Sequence, residues 1–143
     1  MPIFLILAAI FFLLISPLSP VADTMRKNVL GILSRANRNN NPGNLRYAGQ
    51  AGTTGSDPAG FAVFATLQDG WNALVRQWSL YAERGYSLAH GIAIYAPSNE
   101  NNTSAYLNFL TSELGVGSST PLSDINLNAL AQAIAKYEGF VDL

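Results

Sequence analysis

The chain has 143 residues, a formal net charge of −1 and only 12% charged residues, against about 25% in an average soluble protein. It has no cysteine and a single histidine, His90. That excludes a disulfide framework and a thiolate metal site, and it leaves a His-based zinc site or a Ser–His–Asp triad little to draw on. No metal or cofactor is implied, and no basic–aromatic pattern points to nucleic acid.

Residues 3–18 read IFLILAAIFFLLISPL, and no charge occurs from Met1 to Ala22. At about 1.5 Å of helix rise per residue, roughly 20 residues cross the hydrocarbon core of a bilayer. Residues 1–22 are therefore predicted to be a transmembrane anchor, with Pro17 and Pro20 ending or kinking the helix near the interface. A cleaved secretory signal usually has Lys or Arg before its apolar core and a small-x-small cleavage site. Here no basic residue precedes the run, and Pro20 would stand at −3 for cleavage after Ala22. Arg26, Lys27, Arg35, Arg38 and Arg46 follow, and only Arg76, Arg84 and Lys136 come later. Residues 23–38 thus read as a basic juxtamembrane helix or linker, suited to lipid headgroups or an anionic polymer. By the positive-inside rule this cluster favours keeping the body of the chain on the side of insertion.

About 120 residues remain beyond the apolar run, enough for one domain with one core; the domain is placed at 39–143. Residues 24–36 form a short helical candidate with Val29, Leu30, Ile32 and Leu33. Residues 37–60 are so rich in Asn, Gly and Pro that they read as a loop, and a loop this long is often functional. Gly60-Phe61-Ala62-Val63-Phe64 is a short apolar stretch with strand character. Thr66 with Asp69 makes an N-terminal cap. Trp71, Leu74, Val75, Trp78, Tyr81 and Ala82 then recur at helical spacing as far as Arg84, and Gly85 supplies the stop. Ser87 caps a helix running to Tyr95, a polar loop covers 96–102, and 103–114 is helical with Gly115 as its stop. The last helix is placed at 123–138 and is ended by Gly139. The expectation is a mainly α domain of four or five helices with long polar loops.

With so little histidine and no cysteine, acid–base chemistry falls to carboxylates. Glycoside cleavage needs a carboxylic acid that protonates the leaving oxygen, in a partly apolar site. On the last helix Leu127, Leu130, Ala131 and Ile134 share one stripe at about 100° per residue, and Glu138 falls inside it. A Glu there is costly unless it is paired or functional; the bland alternative is a frayed helix end or a cap. Glu113, at the end of its own helix, is a weaker candidate. Glu83 reads as surface, and Asp57, before Pro58, as a turn residue. Glu100 lies in a loop of asparagines and is the best second carboxylate or sugar ligand. Tyr47, Tyr86, Tyr95 and Tyr106 lie in or beside polar loops, where aromatic faces and amides suit sugar rings. Trp71 and Trp78 read as core, and His90 as a packed or surface residue.

The ordered set Asn41-Pro42-Gly43-Asn44-Leu45-Arg46-Tyr47, Gly60-Phe61-Ala62-Val63-Phe64, Gly70 before an amphipathic helix, Tyr95-Ala96-Pro97, Glu100-Asn101-Asn102-Thr103 and Tyr106 resembles small phage and prophage virion proteins of the lysozyme-like superfamily. The resemblance spans roughly residues 39–139. The pattern is also similar to bacterial glucosaminidases of the flagellar type, where a helix resembling AQAILESG carries the catalytic Glu and leads into an NLFGIK segment and a short apolar hairpin strand. Here the pieces come in the opposite order: Asn44-Leu45-Arg46 is early, and Ala131-Gln132-Ala133-Ile134-Ala135-Lys136-Tyr137-Glu138-Gly139 closes the chain. Gly139 stands where lytic transglycosylases usually have Ser.

The resemblance implies a small, circularly permuted lysozyme-like domain with Glu138 in the catalytic place and the 44–47 segment across the cleft. Its implied activity is cleavage of peptidoglycan glycan strands, as a lytic transglycosylase or a lysozyme-type muramidase that aids cell-wall penetration. Glu138 would be the general acid and Glu100 the second carboxylate, while Asn44, Arg46, Tyr47, Tyr95, Asn101 and Tyr106 would bind sugar. The partners implied are peptidoglycan, a lipid membrane and other virion proteins. The expected location is the internal membrane of a phage particle, or else a bacterial inner membrane facing the periplasm. The competing expectations are a non-catalytic structural membrane protein of a phage particle and a peptidoglycan-binding module. A catalytic domain requires Glu138 in a cleft facing the 41–47 loop.

Overall fold

A computed structural model of the chain describes residues 19–142. Nearly all of the expected anchor lies outside these residues. Among the described residues no helix is long and apolar enough to cross a membrane. The first described helix, α1 (Pro20–Leu33), begins where a proline is best tolerated. At the first helical position the missing N–H would have had no partner anyway, and the fixed φ already suits a helix. Pro20 therefore starts this helix, while Pro17 lies outside the described residues. The Ser19 hydroxyl accepts from the Ala22 N–H at 3.4 Å. Ser34 then turns extended (φ −69°, ψ 134°), and a single turn, α2 (Arg35–Arg38), follows. The helix expected at 24–36 is thus two helices broken at Ser34.

The turn-rich 37–60 segment holds more order than its composition suggests. Strand β1 (Thr53–Ser56) lies within it and pairs antiparallel with β2 (Ala62–Phe64). Thr53 faces Phe64 and Ser56 faces Ala62, with an irregularity between Thr53 and Gly55. β1 is polar because it sits at the surface of a two-stranded sheet, whereas β2 buries Ala62 and Phe64. Hydrophobic pattern alone marks only the second of these strands.

Helix α3 (Leu67–Glu83) starts at the expected cap: the Thr66 hydroxyl accepts from the Asp69 N–H and donates to the Asp69 carboxylate. Its buried stripe of Leu74, Trp78 and Tyr81 forms the middle of the core. α4 (Leu88–Tyr95) is capped by Ser87. α5 (Thr103–Leu114) is capped by Asn102 and ends at Gly115, whose φ of 64° is the left-handed conformation of a helix stop. The last segment departs from expectation. A 3-10 turn (Leu122–Asp124) comes first, buried Ile125 is extended, and α6 (Leu127–Tyr137) begins afresh. Asn126 sets that restart, because its side-chain oxygen accepts from the N–H groups of Asn128 and Ala129.

The fold is mainly helical, as expected, with α6 packed against α3 and α5, and β2 against α3. The segment 39–45 wedges between α3 and β2, and it gets there by glycine. A Cβ on Gly70 would lie 1.9 Å from the Asn40 carbonyl oxygen, and one on Gly43 would lie 2.5 Å from Leu74. The Gly70→Ala chain is expected to lose about 1–3 kcal/mol through overpacking, read as a lower urea midpoint. An unchanged midpoint would contradict so close an approach.

Candidate functional site

A buried segment without regular structure must satisfy its backbone polar groups locally. Here asparagine amides do it. Asn41, fully buried, donates from Nδ2 to the carbonyls of Leu45 and Ala62, both at 2.9 Å, and its Oδ1 accepts from the Leu45 N–H at 2.8 Å. Asn40 donates to the Phe64 carbonyl and Asn39 to the Asp57 carboxylate. Asn40 and Asn44 both take positive φ, 50° and 47°, a conformation that asparagine tolerates better than most residues. The segment is thereby folded into a rigid turn that presents Asn44.

Glu138 faces that turn. It caps α6 one residue past Tyr137, and Gly139 behind it has φ 79°. The N–H of Phe140 reaches back to the Ala135 carbonyl at 2.9 Å, closing the helix end. A serine at 139 would be strained there, which accounts for the glycine. The chain then runs out along α2. Val141 and the Asn37 side chain exchange two hydrogen bonds, and Phe140 packs edge-on to Trp71 with centroids 5.4 Å apart. These contacts keep the end of α6 from fraying.

The two oxygens of Glu138 have separate donors. The Tyr106 hydroxyl donates to Oε1 and Asn44 Nδ2 donates to Oε2, both at 2.8 Å. The amide orientation of Asn44 follows, since the opposite one would set its oxygen against the carboxylate. Tyr106 comes from α5, is 1% exposed and stacks on Tyr137 at 3.8 Å between centroids. It was expected to bind sugar. Buried to this degree it meets no ligand, and its hydroxyl instead holds the carboxylate from behind. Burial, and then the neighbouring Tyr95 and Glu138, push the Tyr106 hydroxyl far above the ordinary tyrosine range. Burial, followed by Glu138 and Tyr81, does the same for Tyr95. Both remain protonated donors at any ordinary pH. The Tyr95 hydroxyl donates to the Gly43 carbonyl and so holds the turn from the side of α4.

In front of Glu138 lies a cleft of about 550 Å³. Asn44, Arg46, Tyr95, Glu100 and Asn101 line it together with Glu138, so six of the eight residues singled out from the sequence meet at one place. Tyr47 is 48% exposed and does not line the cleft, and Tyr106 lies behind it. Glu100 stands on the rim, where its Oε2 meets Arg46 Nη2 at 2.9 Å. Arg35, from the basic flank, and Phe61, from the apolar 60–64 stretch, also line the cleft, as does Gln77, of which sequence pattern gives no sign. Arg35 and Arg46 place their guanidinium carbons 4.0 and 4.3 Å from the Phe61 ring centroid. The other carboxylates stand apart. Glu113 pairs with Lys136, and Glu83 with Arg76, at exposed positions. His90 is exposed and stacks on Tyr86. Among the described residues no three His, Asp or Glu side chains gather into a metal-holding group.

Neither a family model nor a curated protein matches the chain.

Asp57 secures the far wall of the cleft. Its Oδ1 accepts from the N–H groups of Ala59 and Phe61, and its Oδ2 from Asn39, with Arg35 at 3.7 Å. The Phe61 N–H first, and then Asn39, hold its carboxyl below the usual range. The stability this gives is present above the unfolded carboxyl value of about 3.9 and is lost as pH falls through the lower folded value. The urea midpoint of the native chain is therefore expected to drop below about pH 4, and that of Asp57→Asn to start lower and drop less. Parallel curves for the two chains would contradict this role.

Proposed function

We propose that this chain cuts the glycan strands of peptidoglycan, with Glu138 as the general acid. The observation that carries the reading is the carboxylate of Glu138, held by Tyr106 and Asn44 at the floor of an open cleft. A carboxylate offers about four lone-pair sites, and the two hydrogen bonds leave the others for a proton and a substrate. The two donors fix the carboxylate in one orientation, which is what proton transfer to a positioned oxygen requires.

In the proposed reaction protonated Glu138 gives its proton to the glycosidic oxygen as the bond to the anomeric carbon breaks. The acetamido oxygen of the same sugar closes on that carbon and takes up the developing charge. A hydroxyl of the sugar or a water then attacks the anomeric carbon and opens the ring just formed. Its proton returns to the Glu138 carboxylate, so the site ends as it began. The hydroxyl route leaves an anhydro sugar (the transglycosylase outcome), and water gives the lysozyme outcome. Glu138 is the single carboxylate placed for this proton transfer, which favours the transglycosylase route. Glu100 takes no part in the proton transfer, because its Oε2 is held by Arg46 at the rim.

The permuted lysozyme-like reading draws support from the way the pieces meet. Glu138, at the end of α6, meets the Asn41–Tyr47 turn through contacts rather than through the chain, since 94 positions separate Asn44 from Glu138. Asn37 and Val141 bring the two ends of the domain together beside them. Placement in the membrane of a phage particle is part of the proposal. The uncharged 1–22 run, with exposed Val21, Met25 and Ile32 on α1 beside Arg26 and Lys27, supports the membrane, and the phage particle rests on the resemblance alone.

The test is digestion of purified peptidoglycan by the full chain in mild detergent, with soluble fragments read by mass spectrometry. Native chain is expected to release disaccharide-containing fragments, and Glu138→Gln to release them at least about 100-fold more slowly. Equal release by both would remove Glu138 from the mechanism. Release by neither would favour a structural role for the domain.

A further inference from the structure

Arg46 is built as a seat for a carboxylate. Its Nη1 donates to the Ala59 carbonyl at 2.9 Å, and its guanidinium carbon lies 4.3 Å from the Phe61 centroid. These two contacts hold the planar group still while leaving the side chain 57% exposed at the cleft rim. The seat is already taken by Glu100, through a single hydrogen bond to Nη2 at 2.9 Å. Glu100 comes from the polar 96–102 loop and is itself 50% exposed. An ion pair this open to water contributes little to stability, so the incumbent is easily replaced. Arg35, also over the Phe61 ring and lining the cleft, is paired with Asp57 at 3.7 Å, which leaves Arg46 as the guanidinium at the rim whose carboxylate partner is exchangeable. Glu138, on the floor, is the remaining negative group lining the cleft.

We propose that Arg46 receives a carboxylate carried by the glycan and that Glu100 is the group it displaces. This rests on the glycan-cleaving reading of the same cleft and names its substrate class: aminosugar strands bearing acidic substituents, rather than uncharged ones. In peptidoglycan the lactyl group of a muramyl sugar without a peptide supplies such a carboxylate, and where a peptide is joined to it as an amide, the acidic groups of the peptide do. The planar guanidinium suits a carboxylate better than an ammonium would, and its fixed position limits the entropy lost on binding. With Arg46 occupied, the sugar bearing the carboxylate is registered relative to Glu138, so the seat selects which linkage lies over the acid.

The test measures binding without turnover. The full chain carrying Glu138→Gln, in mild detergent, is titrated calorimetrically with two tetrasaccharides. One alternates N-acetylglucosamine with N-acetylmuramic acid bearing free lactyl carboxylates, and the other is the N-acetylglucosamine homopolymer. The carboxylate-bearing ligand is expected to bind about tenfold tighter, with the ratio shrinking at high salt. Adding Arg46→Gln brings the ratio close to one, and adding Glu100→Gln instead widens it several-fold. Equal weakening of both ligands by Arg46→Gln, or an unchanged ratio in Glu100→Gln, overturns the seat while leaving the glycan cleft standing. Failure of every chain to bind either glycan overturns both. If Arg46→Gln does not fold, Glu100→Gln, altered only at an exposed rim position, decides alone.

Discussion

The arrangement depends on one buried amide. Asn41 ties together three backbone groups in the core, the N–H and carbonyl of Leu45 and the carbonyl of Ala62, of which the Leu45 carbonyl also accepts from the Ala62 N–H at 2.8 Å. A buried donor or acceptor left without a partner costs about 1–3 kcal/mol, so an irregular turn can occupy the centre of a small domain only if something satisfies it throughout. Asn41 does so, and it also fixes where the turn goes. With the turn bound to β2 and pressed on α3 at Gly70, Asn44 is held in its left-handed conformation, its amide aimed at the end of α6.

Glu138 is met from two sides by elements of different stiffness. Behind it, Tyr106 is packed in the core between α5 and α6, and its hydroxyl stays protonated because burial disfavours the phenolate. In front, Asn44 belongs to the turn and moves only if Asn41 and Tyr95 let go. A side chain locked by packed neighbours is what a site needs if it is to act without first reorganising. The rim is built otherwise. Arg46 and Glu100 are solvent-exposed and joined by one hydrogen bond, so the cleft combines a fixed floor with an exchangeable edge.

Much of this is visible in the sequence, for physical reasons. The caps at Thr66 and Ser87 and the stop at Gly115 are local chemistry, and the helices they bound fall close to where the pattern puts them. Glu138 stands out because a charge on an apolar stripe is unusual, and the structure gives it two donors. What stays hidden is whatever depends on distant partners. β1 is polar and shows no alternation of its own. The break before α6 arises because Ile125 is drawn into the core and Asn126 then caps afresh. The asparagines of 37–44 read as turn formers or sugar ligands, yet most of their amides are engaged within the fold. Tyr106 lies at helical spacing with Phe109 and Leu110, and nothing local shows that its hydroxyl reaches a carboxylate 32 positions away.

The central claim is that Glu138 stands over a glycosidic bond held between the Asn44 turn and the Arg46 rim. The most direct measurement is a crystal structure of the Glu138→Gln chain soaked with a peptidoglycan tetrasaccharide. The account predicts sugar rings along the cleft, with a glycosidic oxygen within about 2.6–3.2 Å of the substituted side chain. A glycan bound on another face, or lying in the cleft with every glycosidic oxygen out of that reach, would contradict it.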